Sequence, residues 1–347
     1  MNTASASAAA IGLSELAALA RLPVADAASP FAERPYLLLR LDTCPPGPDV
    51  AGAIDTAEEA FIARWLRRQP CPVIAVTETG VHEVLQQACD VVVADPAVLD
   101  STLENIRRSP LAAMTFVQVL RVTEHMAIEQ ALVVESLAYA VLQSGPEFRR
   151  WLDGRTPRTR PRANDPGPPV LVERNGENIE IRLNRPARRN SMSVEMRDGL
   201  CEALQLVAAD RSIERARIAG NGKCFSAGGD LDEFGTVPDV ATGHAIRSLR
   251  LPAAVLLQCV ERVEFHVHGA CVGAGAELPA FGRRVHAARD AFFQLPEIRL
   301  GLVPGAGGCV SIPRRIGRQR AAYMGLSAER IDAPTALAWG LVDSVGD

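Results

Sequence analysis

The stretch GACVGAGAELPAFGRRVHAARDAFFQLPEIRLGLVPGAGG, residues 269–308, decides how the rest of the chain is read. It holds two Gly-rich turns and two glutamates, Glu277 and Glu297, each set among mostly apolar residues. A carboxylate in such surroundings is costly to bury unless it is hydrogen-bonded or its pKa rises. Two of them in one segment point to acid/base chemistry. Spacing alone leaves open whether they face one another.

Upstream of this stretch the pattern alternates between strand and helix. Residues 170–173 and 178–183 read as a hairpin around Asn175-Gly176. Residues 193–210 carry Met196, Leu200, Leu204 and Val207 on one helical face. Residues 216–219 read as a strand, ending in an Asn221-Gly222 turn. KCFSAGGDLDEF (223–234) then reads as a strand end, a Gly-rich turn and a new helix or loop, with Asp230 as the cap that closes the turn. His266 and His268 alternate on a strand and share a face. No third ligand stands at metal-binding spacing beside them, so no metal is expected.

Further upstream, residues 153–169 (DGRTPRTRPRANDPGPP) have five prolines, several arginines and no apolar periodicity, and read as a linker. The first half precedes it. A short helix fits residues 13–22, after a start read as disordered. Residues 36–41, 72–77 and 90–95 read as short buried strands, with helices at 55–69 and 81–88, a small βαβαβ-like unit. Asp55 or Thr56 can cap the first of these helices. From residue 101 the pattern is helical. Ser109-Pro110 is a helix start, a break falls near residues 123–127, and Gly145-Pro146 is a stop.

The composition bounds the function. A chain of 347 residues, 48% hydrophobic and 22% charged, suits two globular domains. A net charge of -4 gives no bulk electrostatic case for nucleic acid. No segment approaches the roughly 20 apolar residues of a membrane span, and no basic residue precedes Arg21 as a secretory signal would require. The eight cysteines form no CxxC pair and read as reduced, buried thiols of a cytoplasmic protein.

Five motifs in order resemble the crotonase (enoyl-CoA hydratase/isomerase) superfamily across residues 170–343. They are LNRPARRN (183–190), CFSAGGDL (224–231), HGACVGAGAEL (268–278), FQLPEIRLGLVPGAGG (293–308) and IDAPTALAWGLVDSV (331–345). The resemblance implies an α/β fold with a crotonase-like ββα spiral core, preceded here by a helix-rich N-terminal half. It implies an acyl-CoA thioester as substrate, with no separate cofactor because coenzyme A belongs to the substrate. It also implies a homo-oligomer, trimeric or hexameric, with no nucleic-acid or membrane partner. In the family's hydratases one glutamate activates water for attack at C3 and the other protonates C2. These roles fall on Glu277 and Glu297. Motif position puts the oxyanion-hole amides at Ala227 and Ala274, the latter where the family often has Gly. Substrate and CoA contacts are expected from Arg185, Arg188, Arg189, Ser226, Gly228, Asp230, Leu231, Gly273, Pro304 and Gly305. Arg314, Arg315, Arg318 and Arg320 are weaker candidates for CoA phosphates or a subunit interface.

The resemblance also carries a departure. The family's chain continues past its GLV segment into helices that cover the acyl pocket, whereas this sequence ends at Asp347. Residues 101–152 look like that helical tail, displaced to the N-terminal side. This gives residues 1–152 as a degenerate crotonase-like half lending its helices, 153–169 as linker and 170–347 as catalytic core. The expected activity is enoyl-CoA hydration or the reverse dehydration. The rivals are double-bond isomerisation, thioester hydrolysis, a silent CoA-thioester-binding subunit and, lower, a cofactor-independent oxygenase.

Overall fold

Short, wholly apolar runs make the N-terminal strands, because a strand covered on both faces has no need to alternate. A computed structural model describes residues 10–22, 28–42, 55–78, 80–155 and 167–346. Helix α1 (Leu13–Ala20) precedes β1 (Leu37–Arg40), α2 (Thr56–Arg67), β2 (Val73–Val76), α3 (Glu83–Ala88) and β3 (Val91–Val93). The strands pair in parallel in the order β1-β2-β3. Asp55 caps α2, its carboxylate accepting the Glu58 N–H at 2.7 Å. The expected disordered start at residues 1–9, the middle of the expected linker (156–166) and Cys44 lie outside the described residues. The other seven cysteines are free and buried.

Four helices follow: α4 (Asp100–Arg108), α5 (Pro110–Thr123), α6 (Ile128–Gln143) and α7 (Pro146–Asp153). The α5–α6 break falls where the sequence places it. Pro110 opens α5 as expected, but the Ser109 side chain makes no cap bond. Glu147, on α7, takes that role. Its carboxylate accepts the N–H groups of Leu111 and Ala112 at 2.8 and 2.9 Å, placing negative charge at the positive end of the helix. Only the tertiary fold brings this cap into place.

The C-terminal half opens with the hairpin β4 (Val170–Asn175) and β5 (Asn178–Leu183). Its register pairs Asn175 with Asn178, so Gly176-Glu177 forms the turn, one residue later than expected. Then come α8 (Val194–Ala209), β6 (Arg215–Gly220), α9 (Val240–Arg250), α10 (Pro252–Leu256), β7 (Val263–Val267), β8 (Ala270–Val272), α11 (Ala274–Glu277), β9 (Arg284–Ala288) and β10 (Phe292–Gln294). The chain closes with α12 (Gly308–Ile316), α13 (Arg318–Ser327), β11 (Ile331–Asp332), α14 (Ala333–Trp339) and β12 (Ser344–Gly346). Six strands form one sheet in the order β12-β9-β7-β6-β5-β4, parallel except at the β4 edge, and three form another in the order β11-β10-β8.

One core centres on the six-stranded sheet, where Ile181, Ile218, Phe265 and Val285 meet Met196, Leu200 and Leu204 of α8, and it reaches Ala131 and Leu132 of α6. A second core is shared between the halves. Leu103, Phe116, Leu120 and Phe148 pack with Ile298, Leu302, Val303, Ala322 and Leu326. Polar links cross the same boundary. Asp90, 1% exposed, accepts the Val73 N–H at 2.8 Å and pairs with Arg121 at 2.8 Å and Arg318 at 3.1 Å. Asn105 donates to the carbonyls of Leu326 and Ser327 at 3.0 and 2.8 Å. Gly301, at φ +71°, abuts the backbone of Glu147 and Phe148 so closely that a Cβ there would lie 2.6–2.7 Å from it.

The late arginines serve this packing. Arg314 donates to the Met126 carbonyl, Arg315 to those of Ala280 and Gly282, and Arg318 binds Asp90 and Glu124, while Arg320 lies over the Trp339 ring. Their groups are engaged within the chain, which speaks against the weaker of the two readings, contact with CoA phosphates.

Candidate active site

The turn after β6 and the turn after β8 run side by side. Ser226 bridges to Cys271, with the Ser226 N–H on the Ala270 carbonyl and the Val272 N–H on the Ser226 carbonyl. Along residues 226–230 the backbone alternates its partners. Ala227 donates to the Arg189 carbonyl at 2.9 Å, Gly228 to the Ser226 hydroxyl at 3.2 Å and Asp230 to the Met192 carbonyl at 3.3 Å. Only the Gly229 N–H of this turn has no acceptor among the described residues. Ala227, expected as an oxyanion donor, therefore has its amide occupied, and Gly229 presents the free one. The Ala274 N–H, at the first position of α11, is likewise without an acceptor among the described residues. Ala274 lies outside the left-handed region, so its Cβ carries no backbone penalty.

Both expected glutamates converge on Gly273. A Cβ at Gly273 would stand 2.6 Å from Glu297 Oε1 and 3.9 Å from Glu277 Oε1, and this residue adopts φ +51°. Any side chain here would fill the space between the carboxylates. Glu277 is buried, and its Oε2 accepts the N–H groups of Ala306 and Gly308 at 2.7 and 2.8 Å. Burial pushes its pKa up to about 7, against those two amides, which favour the ionised form. Glu297 sits in the single turn after Pro296, and its enclosed Oε2 has no hydrogen-bond partner. Burial first, and then the charge of Glu277, hold its carboxyl well above the usual range.

A third carboxylate, missed in the sequence, joins them from the N-terminal half. Glu135 of α6 is 1% exposed and accepts the N–H groups of Gly307 and Cys309, both at 2.7 Å. Glu277 and Glu135 thus take successive amides of one loop at the start of α12. Burial, then the Glu277 charge, raise the Glu135 pKa as well. One helical turn on, Tyr139 packs its ring against Gly305 and under the Arg247 guanidinium, 4.6 Å from the ring centroid. Beside them lies a cavity of about 330 Å³ between α6 and the α9–α10 region, lined by Leu132, Val133, Leu251, Ala254 and Leu257. The only sequence signal for Glu135 was a charge inside a strongly apolar helix.

Matching against known proteins gives a concordant picture. The family model described as Enoyl-CoA hydratase/isomerase matches residues 173–346. The chain belongs to the enoyl-CoA hydratase/isomerase family. It is 37% identical over 177 residues to the 2,3-dehydroadipyl-CoA hydratase of Escherichia coli (strain K12), covering 51% of this chain and 68% of that protein. It is 36% identical over 175 residues to the 1,2-epoxyphenylacetyl-CoA isomerase of the same organism, covering 49% and 66%. The solved enoyl-CoA hydratase of Thermoplasma volcanium GSS1 matches with a TM-score of 0.48 and 32% identity, over 52% of this chain and 73% of that one. The family match begins at residue 173, so the N-terminal half that supplies Glu135 lies outside it. Among the described residues no helix is long and apolar enough to cross a membrane.

The remaining expected contacts divide. Gly273 borders both carboxylates and Gly305 borders Tyr139, while Gly228 packs against Val272 and Gly273, and Pro304 lies against Gly308. Arg189 is exposed, with no bond from its guanidinium among the described residues, and is the candidate that keeps a free charge. Arg185, by contrast, is buried and spent on Glu195 at 2.6 Å and the carbonyls of Gly167 and Asn184. Arg188 pairs with Asp230 at 3.1 Å, while Asp230 caps the Asp232 N–H at 3.1 Å, as its position suggested. Leu231 stands partly exposed and receives Arg155 on its carbonyl. Ser226 is fully buried and donates to the Asn190 carbonyl at 2.8 Å. Arg185 and Ser226 hold the fold of these turns, which corrects their assignment to substrate binding.

Proposed function

We propose that the protein hydrates the C2=C3 bond of an enoyl-CoA thioester, or runs the reverse dehydration. The observation that supports this reading is the pair Glu277 and Glu297, with oxygens 3.9 and 2.6 Å from where a Gly273 Cβ would stand and with unequal hydrogen bonding. Glu277, with two amides on one oxygen, is the member better held as an anion. Glu297, with an unpartnered buried oxygen, is the member better held as an acid. A water between them gives its proton to Glu277 as its oxygen bonds to C3. The C2=C3 electron pair moves to C2 and takes the proton of Glu297. Negative charge built on the thioester oxygen meets the free N–H groups of Gly229 and Ala274. The acyl chain would extend into the cavity between α6 and the α9–α10 region. Helices α4 to α7 would serve as the cover that closes the site, with residues 1–152 as a degenerate, non-catalytic crotonase-like half.

Incubation with crotonyl-CoA, followed by enoyl absorbance and product mass, tests the reaction. Wild-type protein should add one water, and Glu277→Gln and Glu297→Gln should each lower kcat by about 10²–10⁴-fold. Turnover surviving both substitutions would sink this mechanism. The 1,2-epoxyphenylacetyl-CoA isomerase relative, nearly as similar as the hydratase, supports isomerisation as the second reading. A product of unchanged mass would favour it.

A further inference from the structure

The face of the six-stranded sheet turned away from α8 carries a second cluster that the acyl-CoA reading does not use. Glu264 and His266 stand two apart on β7 and share that face, while Phe265 and Val267 point into the core. The β7–β9 register sets His286 directly beside His266, with ring centroids 4.6 Å apart. One ligand atom from each of Glu264, His266 and His286 lies within 4.8 Å of the others, and His286 Nε2 is 4.0 Å from the Glu264 carboxylate. All three side chains are part-buried. His266 and His286 line a cavity of about 620 Å³ that opens to solvent. The third ligand comes from a neighbouring strand, and therefore no spacing along the sequence revealed it. His268 is not part of the set, since it follows the end of β7 and its Nε2 meets the Gly222 carbonyl at 2.9 Å.

We propose that Glu264, His266 and His286 bind a divalent transition cation of the zinc type. Two imidazoles and a carboxylate suit zinc and its neighbours, whereas calcium and magnesium take oxygen ligands alone. The outer contacts agree. His286 Nδ1 lies 2.7 Å from the Ser344 hydroxyl, which can accept its proton and leave the Nε2 lone pair facing Glu264. Arg217 on β6 and Arg284 on β9 flank Glu264 in register. Arg217 is drawn, with Arg182, toward Glu180 at 3.8 and 2.9 Å, and Arg284 is exposed, which lowers their opposition to a cation. Three protein ligands leave the fourth tetrahedral position open to the cavity, where water or a small anion would complete the shell. The cation would tie β7 to β9 and, through Ser344, to β12.

Full-length protein stripped with a chelator and titrated with zinc chloride tests this by calorimetry and by metal analysis after gel filtration. Wild type should take up one zinc per chain at or below about 100 µM free metal, with a rise in Tm. His266→Ala and His286→Ala should each abolish the uptake and the rise while leaving acyl-CoA turnover and the circular dichroism spectrum unchanged. Ser344→Ala should weaken binding about tenfold. No uptake at that concentration, or uptake that survives either histidine substitution, overturns the proposal.

Discussion

The two halves of the chain use the same parts, parallel strands joined by helices, and differ in what their strand ends leave unsatisfied. At the C-terminal ends of β1 and β2, Asp42 accepts the Thr77 hydroxyl at 2.7 Å and the Glu78 N–H at 2.9 Å. Asp90, just before β3, is closed by a backbone amide and two arginines. In the C-terminal half, the turns after β6 and β8 carry amides with no acceptor among the described residues, at Gly229 and Ala274, and Glu297 carries a buried oxygen with no donor among them. Buried polar groups are nearly always paired, so a cluster of unpaired ones marks where a substrate can complete the set. Among the described residues of the N-terminal half these strand-end carboxylates are paired, and the unpartnered buried oxygens there, Gln69 Oε1 and Thr102 Oγ1, lie on or beside helices. In the C-terminal half these unpartnered groups gather at the strand-end turns, where Glu135 of the first half also reaches.

The most severe way to break this comparison is to separate the halves. A fragment of residues 166–347 would expose Ile298, Leu302, Val303, Ala322 and Leu326, and would leave Arg318 without Asp90. It should be insoluble or inactive on acyl-CoA substrates, with no measurable turnover in the soluble fraction. A soluble fragment with full activity would show that the first half is dispensable.

A finer cut removes only what the first half contributes to the site. Glu135→Leu leaves the Gly307 and Cys309 amides unpaired in a buried loop, at about 1–3 kcal/mol. Because the same loop aims the amides that hold Glu277, kcat should fall about tenfold or more. Glu135→Gln keeps an acceptor for only one of the two amides and turns its NH2 toward the other, so it should recover part of the rate. It also removes a charge that raises the Glu297 pKa. The alkaline limb of the rate profile, where the acid Glu297 is lost, should then move to lower pH. A limb that stays in place would reduce Glu135 to a structural support.

These cases show where the sequence was readable. Glu277 and Glu297 lie 20 residues apart in two neighbouring Gly-rich motifs, and their apolar neighbours signalled buried carboxyls. The α5–α6 break and the Asp55 cap are local events, and both stand where residue type placed them. Glu135, the Glu147 cap on α5 and the β7–β9 cluster each depend on a partner brought by another element, so no periodicity could announce them. The error at Ala227 has a different cause. The Ala227 amide is committed to the Arg189 carbonyl, Gly228 at φ +85° turns the backbone, and the Gly229 amide that follows is the one without an acceptor among the described residues. Motif matching located the turn, but only hydrogen-bond accounting could tell which of its amides was free.

The smallest effect concerns stability, and it separates the halves by pH. Burial holds the folded pKa of the Glu297 carboxyl well above the ordinary carboxyl value of 4.5. The folded state therefore binds its proton more tightly than the unfolded chain does. The stability this contributes is fully present below about pH 4.5 and is lost as pH rises through the folded pKa. Glu297→Gln, which cannot ionise, escapes that loss. Its Tm should exceed that of wild type by about 2–4 °C per kcal/mol at pH 8.5, and the gain should shrink toward zero near pH 5, as read by differential scanning fluorimetry. Asp90, by contrast, is paired with two arginines, and Asp90→Asn should lower Tm at both pH values. A pH-independent gain in Glu297→Gln would mean that its buried oxygen is not the strained group, and the contrast between paired and unpaired strand-end groups would lose its energetic basis.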